Sequence, residues 1–160
     1  MSNTFNLKKH SFLIFGLGST GLSVIRYFKK KNITNYKIWD DNSKVRKKYK
    51  NKNIINLNKT LNNVDFIVLS PGISLIKTKF KKKLIKFKHK IITDIDLLFL
   101  SNQNFNSIVV TGSNGKSTTC KIIKHLLKKN KFNVELGGNI GKPVLNLKIK
   151  KNIFLIIEAS

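Results

Sequence analysis

Residues 109–118 read Val109-Val110-Thr111-Gly112-Ser113-Asn114-Gly115-Lys116-Ser117-Thr118. An apolar stretch, 108–110, leads into a glycine-containing loop, and the loop ends in Gly-Lys-Ser where a helical pattern begins. Glycines allow backbone N–H groups to turn onto phosphate oxygens, and a helix N-terminus adds partial positive charge. The stretch therefore predicts a phosphate loop that binds ATP. The alternative is an ordinary turn between a strand and a helix.

Two side chains of this loop have roles that their chemistry suggests. Lys116 would reach the β- and γ-phosphates of the nucleotide, and the Ser117 hydroxyl would bind Mg²⁺. The spacing is shorter than the common G-x-x-x-x-G-K-[ST] pattern, because Val110 stands where that pattern has its first glycine. The predicted ATP-binding residues are Gly112, Ser113, Asn114, Gly115, Lys116, Ser117 and Thr118.

Short apolar strands alternate with amphipathic helices along the chain, which predicts an α/β fold with parallel sheets. The predicted strands are 12–15, 36–39, 64–69, 91–92, 108–110, 132–136 and 153–157. The predicted helices are 20–31, 75–88, 94–100, 117–129 and a short one that begins at Pro143. The stretch 101–107 is polar and rich in asparagine, so we expect it to link two domains, 1–100 and 108–160.

A second glycine loop, Gly16-Leu17-Gly18-Ser19-Thr20-Gly21, follows the first predicted strand. In the G-x-G-x-x-G pattern the first glycine makes the turn, the second allows a diphosphate to approach, and the third lets the helix pack on the sheet. Asp40 lies 19 residues after Gly21, where an acid would bind a ribose hydroxyl. Taken alone, this pattern predicts NAD binding by an oxidoreductase or a regulator. A purely structural turn remains the alternative.

The chain is strongly basic, with 32 Lys and Arg against 7 Asp and Glu and a formal net charge of +25. Such a charge predicts non-specific attraction to polyanions at low salt. Arg26 and Arg46 are the only arginines, although specific recognition of bases and phosphates favours the arginine fork. We therefore expect no specific nucleic-acid partner. A basic nucleic-acid-binding module with a nucleotide site remains an alternative.

Cysteine usage and hydropathy bear on the compartment. Cys120 is the only cysteine, which excludes an internal disulfide and fits a reducing cytoplasm. The apolar run 11–25 is interrupted by glycines, and no apolar run reaches the roughly 18 residues that a membrane helix needs. The sequence therefore predicts a cytoplasmic protein without a membrane partner, and a small buried thiol at Cys120.

The two glycine loops together resemble those of the Mur ligase family. Thr111–Thr118 is similar to the family's shortened phosphate loop, and Gly16–Gly21 to the nucleotide loop of its first domain. Ser70-Pro71-Gly72-Ile73 and Gly137-Gly138-Asn139-Ile140-Gly141 resemble the family's D-glutamate-adding branch. The resemblance runs in the same order over nearly the whole chain. The L-alanine-adding branch is the nearest alternative within the family.

The resemblance implies an ATP- and Mg²⁺-dependent ligase of peptidoglycan precursor synthesis, and hence of cell wall biogenesis, cell shape and cell division. Its reaction would join D-glutamate to UDP-N-acetylmuramoyl-L-alanine through an acyl phosphate. The architecture implied is a Rossmann-like UDP-sugar domain, 1–100, and the beginning of a P-loop α/β ATPase domain, 108–160. Family members also use a downstream histidine, a carbamylated lysine and a third domain, so the resemblance implies that this chain is incomplete and inactive alone. A monomer is expected.

The resemblance also assigns residues. It implies that Lys116 and Glu158 are catalytic and that Ser117 and Glu158 hold Mg²⁺. The UDP-sugar residues that it implies are Gly18, Ser19, Thr20, Asp40, Asp41, Gly72, Asn139 and Ser160. The family often has a basic residue near the position of Asn42, where this chain has an amide. Glu158 is independently attractive as an Mg²⁺ ligand, because it ends an apolar strand in a phosphate-loop domain and carries hard oxygen donors.

Overall fold

A computed structural model describes residues 5–49, 52, 56–73, 78–101, 105–150 and 152–159. The chain forms two compact units, Met1–Ser101 and Asn102–Ser160, each with its own parallel sheet. The predicted α/β fold with parallel sheets is confirmed. Within the part of the chain that is described, no helix is long and apolar enough to cross a membrane.

The first unit has a four-stranded sheet in the order β2-β1-β3-β4, and all its pairings are parallel. Its strands are β1 (Phe12–Phe15), β2 (Tyr36–Trp39), β3 (Phe66–Leu69) and β4 (Ile91–Ile92). Its helices are α1 (Ser19–Lys30), α2 (Ser43–Lys47), α3 (Leu57–Asn63), α4 (Lys81–Lys86) and α5 (Asp94–Leu100), with 3-10 turns at Leu7–Lys9 and Lys88–Lys90.

The second unit has a three-stranded parallel sheet in the order β5-β7-β6. Its strands are β5 (Asn106–Val110), β6 (Asn133–Gly138) and β7 (Ile153–Glu158), and its helix is α6 (Lys116–Lys129). A 3-10 turn, Val144–Asn146, follows β6. The central strand β7 is the most buried of the three, which explains its nearly continuous apolar sequence.

The core of the first unit lies on both faces of β1, whose four residues are all buried. On one face Phe12 contacts Phe28 of α1, with ring centroids 4.9 Å apart. On the other face Leu13 belongs to a cluster that includes Leu61 of α3 and Leu84 of α4. A strand covered on both faces needs an apolar residue at every position, so the run Phe-Leu-Ile-Phe is explained by its place in the sheet.

Helix starts differ in a way that bears on ligand binding. The N-terminus of α5 has a capping box between Thr93 and Asp96, and α3 is capped by the side chain of Asn56. In contrast, the N-cap residues of α1 and α6 are Gly18 and Gly115, which have no side chain to cap the helix. Uncapped N–H groups at a helix start attract anions. Both helices that follow the glycine loops therefore keep this property.

The helix and strand bounds depart from the prediction in several places. The sequence pattern missed α2 and α3, and β3 begins at Phe66 because Val64 is the C-cap residue of α3. The predicted helix 75–88 is shorter, since α4 begins at Lys81; residues 74–77 lie outside the described residues. The predicted linker 101–107 overlaps the first residues of β5, which are polar and exposed on an edge strand.

Asp65 links the start of β3 to the start of β1, because its carboxylate accepts hydrogen bonds from the Ser11 N–H at 2.7 Å and the Ser11 hydroxyl at 2.8 Å. These bonds lower the pKa of Asp65, the backbone N–H contributing most. A lowered pKa stabilises the fold above the unfolded value of about 3.9, and this stability is lost as the pH falls through the folded value.

We therefore expect the melting temperature of the native chain to fall more steeply than that of Asp65→Asn as the pH drops below about 4. Thermal unfolding followed by circular dichroism between about pH 2 and pH 6 would measure this difference. The effect should be small, since Asp65 is half exposed. Parallel curves for the two proteins would contradict it.

Candidate functional site

The first glycine loop lies where the strand order of the sheet reverses. From β1 the chain adds β2 on one side and β3 on the other, so the crevice beside the end of β1 is a topological switch point. Open α/β sheets bind ligands at such points, outside the carboxyl ends of their strands. The loop 16–18, Asp40 and Ser70 each follow one of these three strands. They therefore share one edge of the sheet.

Gly16 and Gly21 are required by the packing of the loop. Gly16 has a φ of +94°, and a Cβ on it would lie 2.9 Å from Ile73. A Cβ on Gly21 would lie 1.9 Å from the Gly16 carbonyl oxygen. The buried Ser70 hydroxyl donates to that same oxygen at 2.8 Å. These contacts hold the loop against the start of α1, and they give Ser70, which the sequence analysis named only as part of a motif, a role in fixing the loop.

Gly18 is different, because nothing lies within 4 Å of the place where its Cβ would be. It precedes Ser19 and Thr20 in the first turn of α1, where no side chain caps the helix. Ser19 is exposed and Thr20 is partly exposed. The arrangement leaves open space beside a helix N-terminus, which suits a phosphate or diphosphate group.

The carboxylate of Asp40 braces the loop. One oxygen accepts from the Leu17 N–H at 2.7 Å and the other from the Asn42 N–H at 2.8 Å. Each carboxylate oxygen has a second lone pair, so Asp40 keeps capacity to accept a ribose hydroxyl. Asp41 accepts from the indole N–H of Trp39 at 3.2 Å. Both acids thus also organise the end of β2.

Arg46 lies beside these acids, and the sequence reasoning did not assign it a role. Its guanidinium stacks on the Trp39 ring at 4.3 Å from the centroid, and it donates to the Asp40 carbonyl oxygen. Trp39 is in turn held edge-on by Phe80 at 5.5 Å. The basic residue that the family often has near the position of Asn42 is therefore matched by Arg46, which lies four residues later in α2. The sequence feature that could have indicated a role for Arg46 is the rarity of arginine, since the chain has only two.

Gly72 follows β3 at the same edge of the sheet. It is exposed, and nothing lies within 4 Å of the place where its Cβ would be. Its neighbour Ser70 is fixed to the first loop, as described above. Packing within the chain therefore does not account for a glycine at this position, and its assignment to the UDP-sugar stays a prediction.

The phosphate loop of the second unit connects β5 to α6. Gly112 has a φ of +142° and Gly115 a φ of +77°, so both adopt conformations that favour glycine. Residues 111–115 are exposed. The Lys116 ammonium group folds back and donates to the Gly112 carbonyl at 2.7 Å and the Ser113 carbonyl at 3.4 Å. A lysine held over the loop by exposed carbonyls can move to phosphate oxygens at little cost.

Ser117 and Glu158 meet beside this loop. The Ser117 hydroxyl donates to a Glu158 carboxylate oxygen at 2.6 Å, and Glu158 is only 4% exposed. Glu158 is paired with Val110 on one side and Gly138 on the other, so it lies at the end of the central strand. A hydroxyl and a carboxylate this close can share one hard cation, which fits Mg²⁺ with water and phosphate oxygens completing its shell.

The surroundings of this pair are consistent with that use. No cluster of three or more His, Cys, Asp or Glu side chains occurs among the described residues. Cys120 is fully buried, as predicted. Burial raises the pKa of its thiol, and the Glu158 charge raises it further. Cys120 is therefore a packing residue rather than a nucleophile.

Asn139 lies in the glycine-rich loop after β6, and its N–H donates to the Glu158 carbonyl at 3.0 Å. Gly138 has a φ of +110°, and a Cβ on it would lie 2.2 Å from that carbonyl oxygen. The glycine allows Asn139 to lie against the strand end that carries Glu158. Ser160, the remaining predicted substrate residue, lies outside the described residues.

Comparisons with known proteins place the chain in a family. A family model described as "Mur ligase MurD-like, N-terminal domain" matches residues 10–93. The chain is 40% identical to a UDP-N-acetylmuramoylalanine--D-glutamate ligase of Rickettsia felis over 153 residues, covering 92% of this chain and 33% of that protein. It is 37% identical to the ligase of the same name from Buchnera aphidicola subsp. Schizaphis graminum over 168 residues, covering 98% and 36%.

Among solved structures, a pseudomurein peptide ligase type C from Methanothermus fervidus aligns with a TM-score of 0.41 and 18% identity, covering 94% of this chain and 33% of that one. The chain thus spans about a third of the length of the curated relatives it matches.

The first unit has a glycine loop at the switch point of its parallel sheet, and the second unit has a glycine loop between β5 and α6; both arrangements are typical of nucleotide-binding α/β proteins. Within that class, the chain belongs to the Mur ligase family, in its MurD-like N-terminal domain group. The family membership expected from the sequence motifs is thereby confirmed.

Proposed function

We propose that this chain contributes the UDP-sugar site and the ATP phosphate loop of a ligase that adds D-glutamate to UDP-N-acetylmuramoyl-L-alanine. The observation that carries the proposal is the start of α1, an open and uncapped helix N-terminus at the switch point of the first sheet. Family membership directs that site toward a UDP-linked substrate rather than NAD. The names of the relatives support D-glutamate as the amino acid.

In the first unit, the N–H groups of Ser19 and Thr20 would bind the diphosphate, with Gly18 leaving room for it. Asp40 would hold the loop and accept a ribose hydroxyl, and Asp41 and Gly72 would border the rest of the nucleotide sugar. Asp40 is positioned by backbone N–H groups, and Asp41 by the Trp39 indole, before a ligand arrives. The site is therefore preorganised, which lowers the entropic cost of binding.

In the second unit, ATP with Mg²⁺ would supply the phosphoryl group that activates the substrate carboxylate. Lys116 and the loop N–H groups would neutralise charge on the transferring phosphoryl group. Ser117 and Glu158 would hold Mg²⁺, and Glu158 would be oriented by its place at the end of β7. Asn139 would present its amide to the UDP-sugar. No nucleophilic side chain is required, which agrees with the inert setting of Cys120.

The proposal also covers the substrates, the compartment, the oligomeric state and the partners of the protein. The substrates are small molecules, the compartment is the cytoplasm, and the chain acts as a monomer without a specific nucleic-acid or membrane partner. The single cysteine and the lysine-dominated charge support this view.

Thermal unfolding in the presence of each ligand tests the proposal. UDP-N-acetylmuramoyl-L-alanine and Mg²⁺-ATP should each raise a melting transition, since a ligand at ten times its Kd adds about 1.4 kcal/mol to stability. Gly18→Ala should remove the first effect, and Lys116→Ala the second. If neither ligand shifts any transition at millimolar concentration, the proposal is wrong.

Arg46 gives a prediction about the nucleotide base. We expect Arg46→Ala to weaken UDP binding about five- to tenfold, because a guanidinium fixed on Trp39 beside the nucleotide edge is lost. Lys47→Ala is a matched control, since Lys47 is an exposed cation one position further along α2. Calorimetric titration with UDP would compare them. Equal affinities in the two variants would show that Arg46 braces β2 and does not contact the ligand.

A further inference from the structure

The first unit has a cavity at the edge of its sheet opposite the glycine loop. It has a volume of about 380 Å³ and is lined by residues that precede β1, end α1 or lead into β2, among them Leu7, Tyr27 and Ile33. The helix α1 has 12 residues and runs from the glycine loop to this edge, a length of about 18 Å. The cavity is therefore separate from the site proposed for the UDP-sugar.

Tyr27 gives the cavity a buried polar group. Tyr27 is 7% exposed, and its buried hydroxyl group lies next to the Ser101 side chain. Burial raises the pKa of Tyr27, while the neighbouring Ser101 hydroxyl lowers it to a lesser degree. The phenol is therefore a neutral O–H donor at physiological pH.

Three ammonium groups give the cavity its charge. Lys8, Lys9 and Lys31 line it, and no acidic residue is among the lining residues. The C-terminal ends of α1 and α5 bring partial negative charge to this edge. That charge is reduced, because the Lys31 N–H donates to the Tyr27 carbonyl and the Ser101 N–H to the Leu97 carbonyl. Three lysines and no acid among the lining residues give the cavity wall a positive formal charge, which favours an anion.

The apolar lining adds a second requirement. Leu7 and Ile33 are buried and form an apolar part of the wall, and Phe5 extends it. Phe5 is held by stacking on His10, with ring centroids 4.6 Å apart. The Lys31 ammonium group lies 6.0 Å from the centre of the Tyr27 ring, so charge and aromatic surface meet at one place. A ligand with both an apolar body and an anionic head would satisfy both parts.

We propose that this cavity binds a small organic anion. Its phosphate or carboxylate head lies among Lys8, Lys9 and Lys31 and accepts a hydrogen bond from the Tyr27 hydroxyl. Its aromatic or aliphatic body lies against Leu7, Ile33 and Phe5. The volume suits a ligand at the lower end of the drug-like range, of about the size of a substituted benzene ring.

Titration of the chain with phenyl phosphate and with benzoate, followed by calorimetry and amide chemical shifts, tests this proposal. The two probes share an aromatic body and differ in the head group, so their relative affinities identify which anion the cavity prefers. We expect at least one to bind with a millimolar Kd and to shift amides around Leu7, Tyr27 and Ile33. Absence of such shifts for both probes at about 10 mM would overturn the proposal.

Matched variants locate the binding. Lys31→Ala and Tyr27→Phe should each weaken it at least about fivefold, because each removes one donor to the anion. Lys30→Ala and Tyr36→Phe, which alter residues outside the cavity lining, should stay within about twofold of the native chain. Equal losses in the cavity and control variants would overturn the proposal.

Discussion

Gly21→Ala is expected to lower the free energy of unfolding of the first unit by about 2 to 3 kcal/mol and to abolish its binding of the UDP-sugar. The added Cβ would lie 1.9 Å from the Gly16 carbonyl oxygen, which is backbone and is already fixed by Ser70. The loop or the helix must therefore move, and either movement takes the N–H groups of α1 away from the diphosphate. Urea unfolding and calorimetry would measure the two effects.

Gly18→Ala is the matched control for this experiment. Its Cβ would meet nothing within 4 Å, and Gly18 has a negative φ, so the stability should change by about 1 kcal/mol or less. The same methyl group would occupy the space proposed for the diphosphate, and the affinity for UDP should fall at least about tenfold. A Gly18→Ala chain that binds UDP normally would contradict the proposed position of the ligand.

Lys116→Ala is expected to weaken the binding of Mg²⁺-ATP about 10- to 100-fold without affecting the stability of the second unit. The ammonium group contacts only loop carbonyls that are exposed, so its loss leaves no buried group unpaired. Its charge-assisted bonds to phosphate would be worth about 1.5–3 kcal/mol. Lys121→Ala, an exposed lysine further along α6, is the control and should bind ATP as the native chain does.

Glu158→Gln tests the contribution of Mg²⁺ to ATP binding independently of the contribution of Lys116. The amide oxygen can still accept from the Ser117 hydroxyl at the end of the buried strand, but it lacks the charge that attracts Mg²⁺. We expect the affinity of this variant for ATP to become independent of added Mg²⁺, while UDP binding is unchanged. Fluorescent ATP titrated with and without Mg²⁺ would measure this. A native response to Mg²⁺ would exclude Glu158 as its ligand.

Much of the fold was predictable because the buried strands carry strong local patterns. The strand β1 reads Phe-Leu-Ile-Phe and ends at a glycine loop, so both its place and its ligand edge follow from sequence. The helix α3 was not predictable, since Leu57 and Leu61 are its only buried residues and the others are polar. The polar start of β5 was missed for the same reason, because an exposed edge strand has no apolar pattern.

The candidate sites could be proposed from the sequence where a local motif, such as a glycine loop or the Gly-Lys-Ser segment, is typical of one kind of binding. The contact between Ser117 and Glu158 was foreseeable from family resemblance, although 41 residues separate them in sequence. The side-chain contacts that fix the first loop and the end of β2 were not predictable, because they join residues from different strands and helices. Ser70 reaches Gly16 from the next strand, and Arg46 reaches Trp39 from a helix of five residues. Local patterns contain no information on such pairs.

Calorimetric titration of the native chain with UDP-N-acetylmuramoyl-L-alanine, run in parallel with NAD, tests the central claim most directly. Both ligands contain a diphosphate and a ribose, so the comparison isolates what the site recognises beyond them. We predict saturable binding of the UDP-sugar that is lost in Gly18→Ala, and no measurable binding of NAD. Binding of NAD in preference to the UDP-sugar would contradict the account and assign the first unit to dinucleotide chemistry.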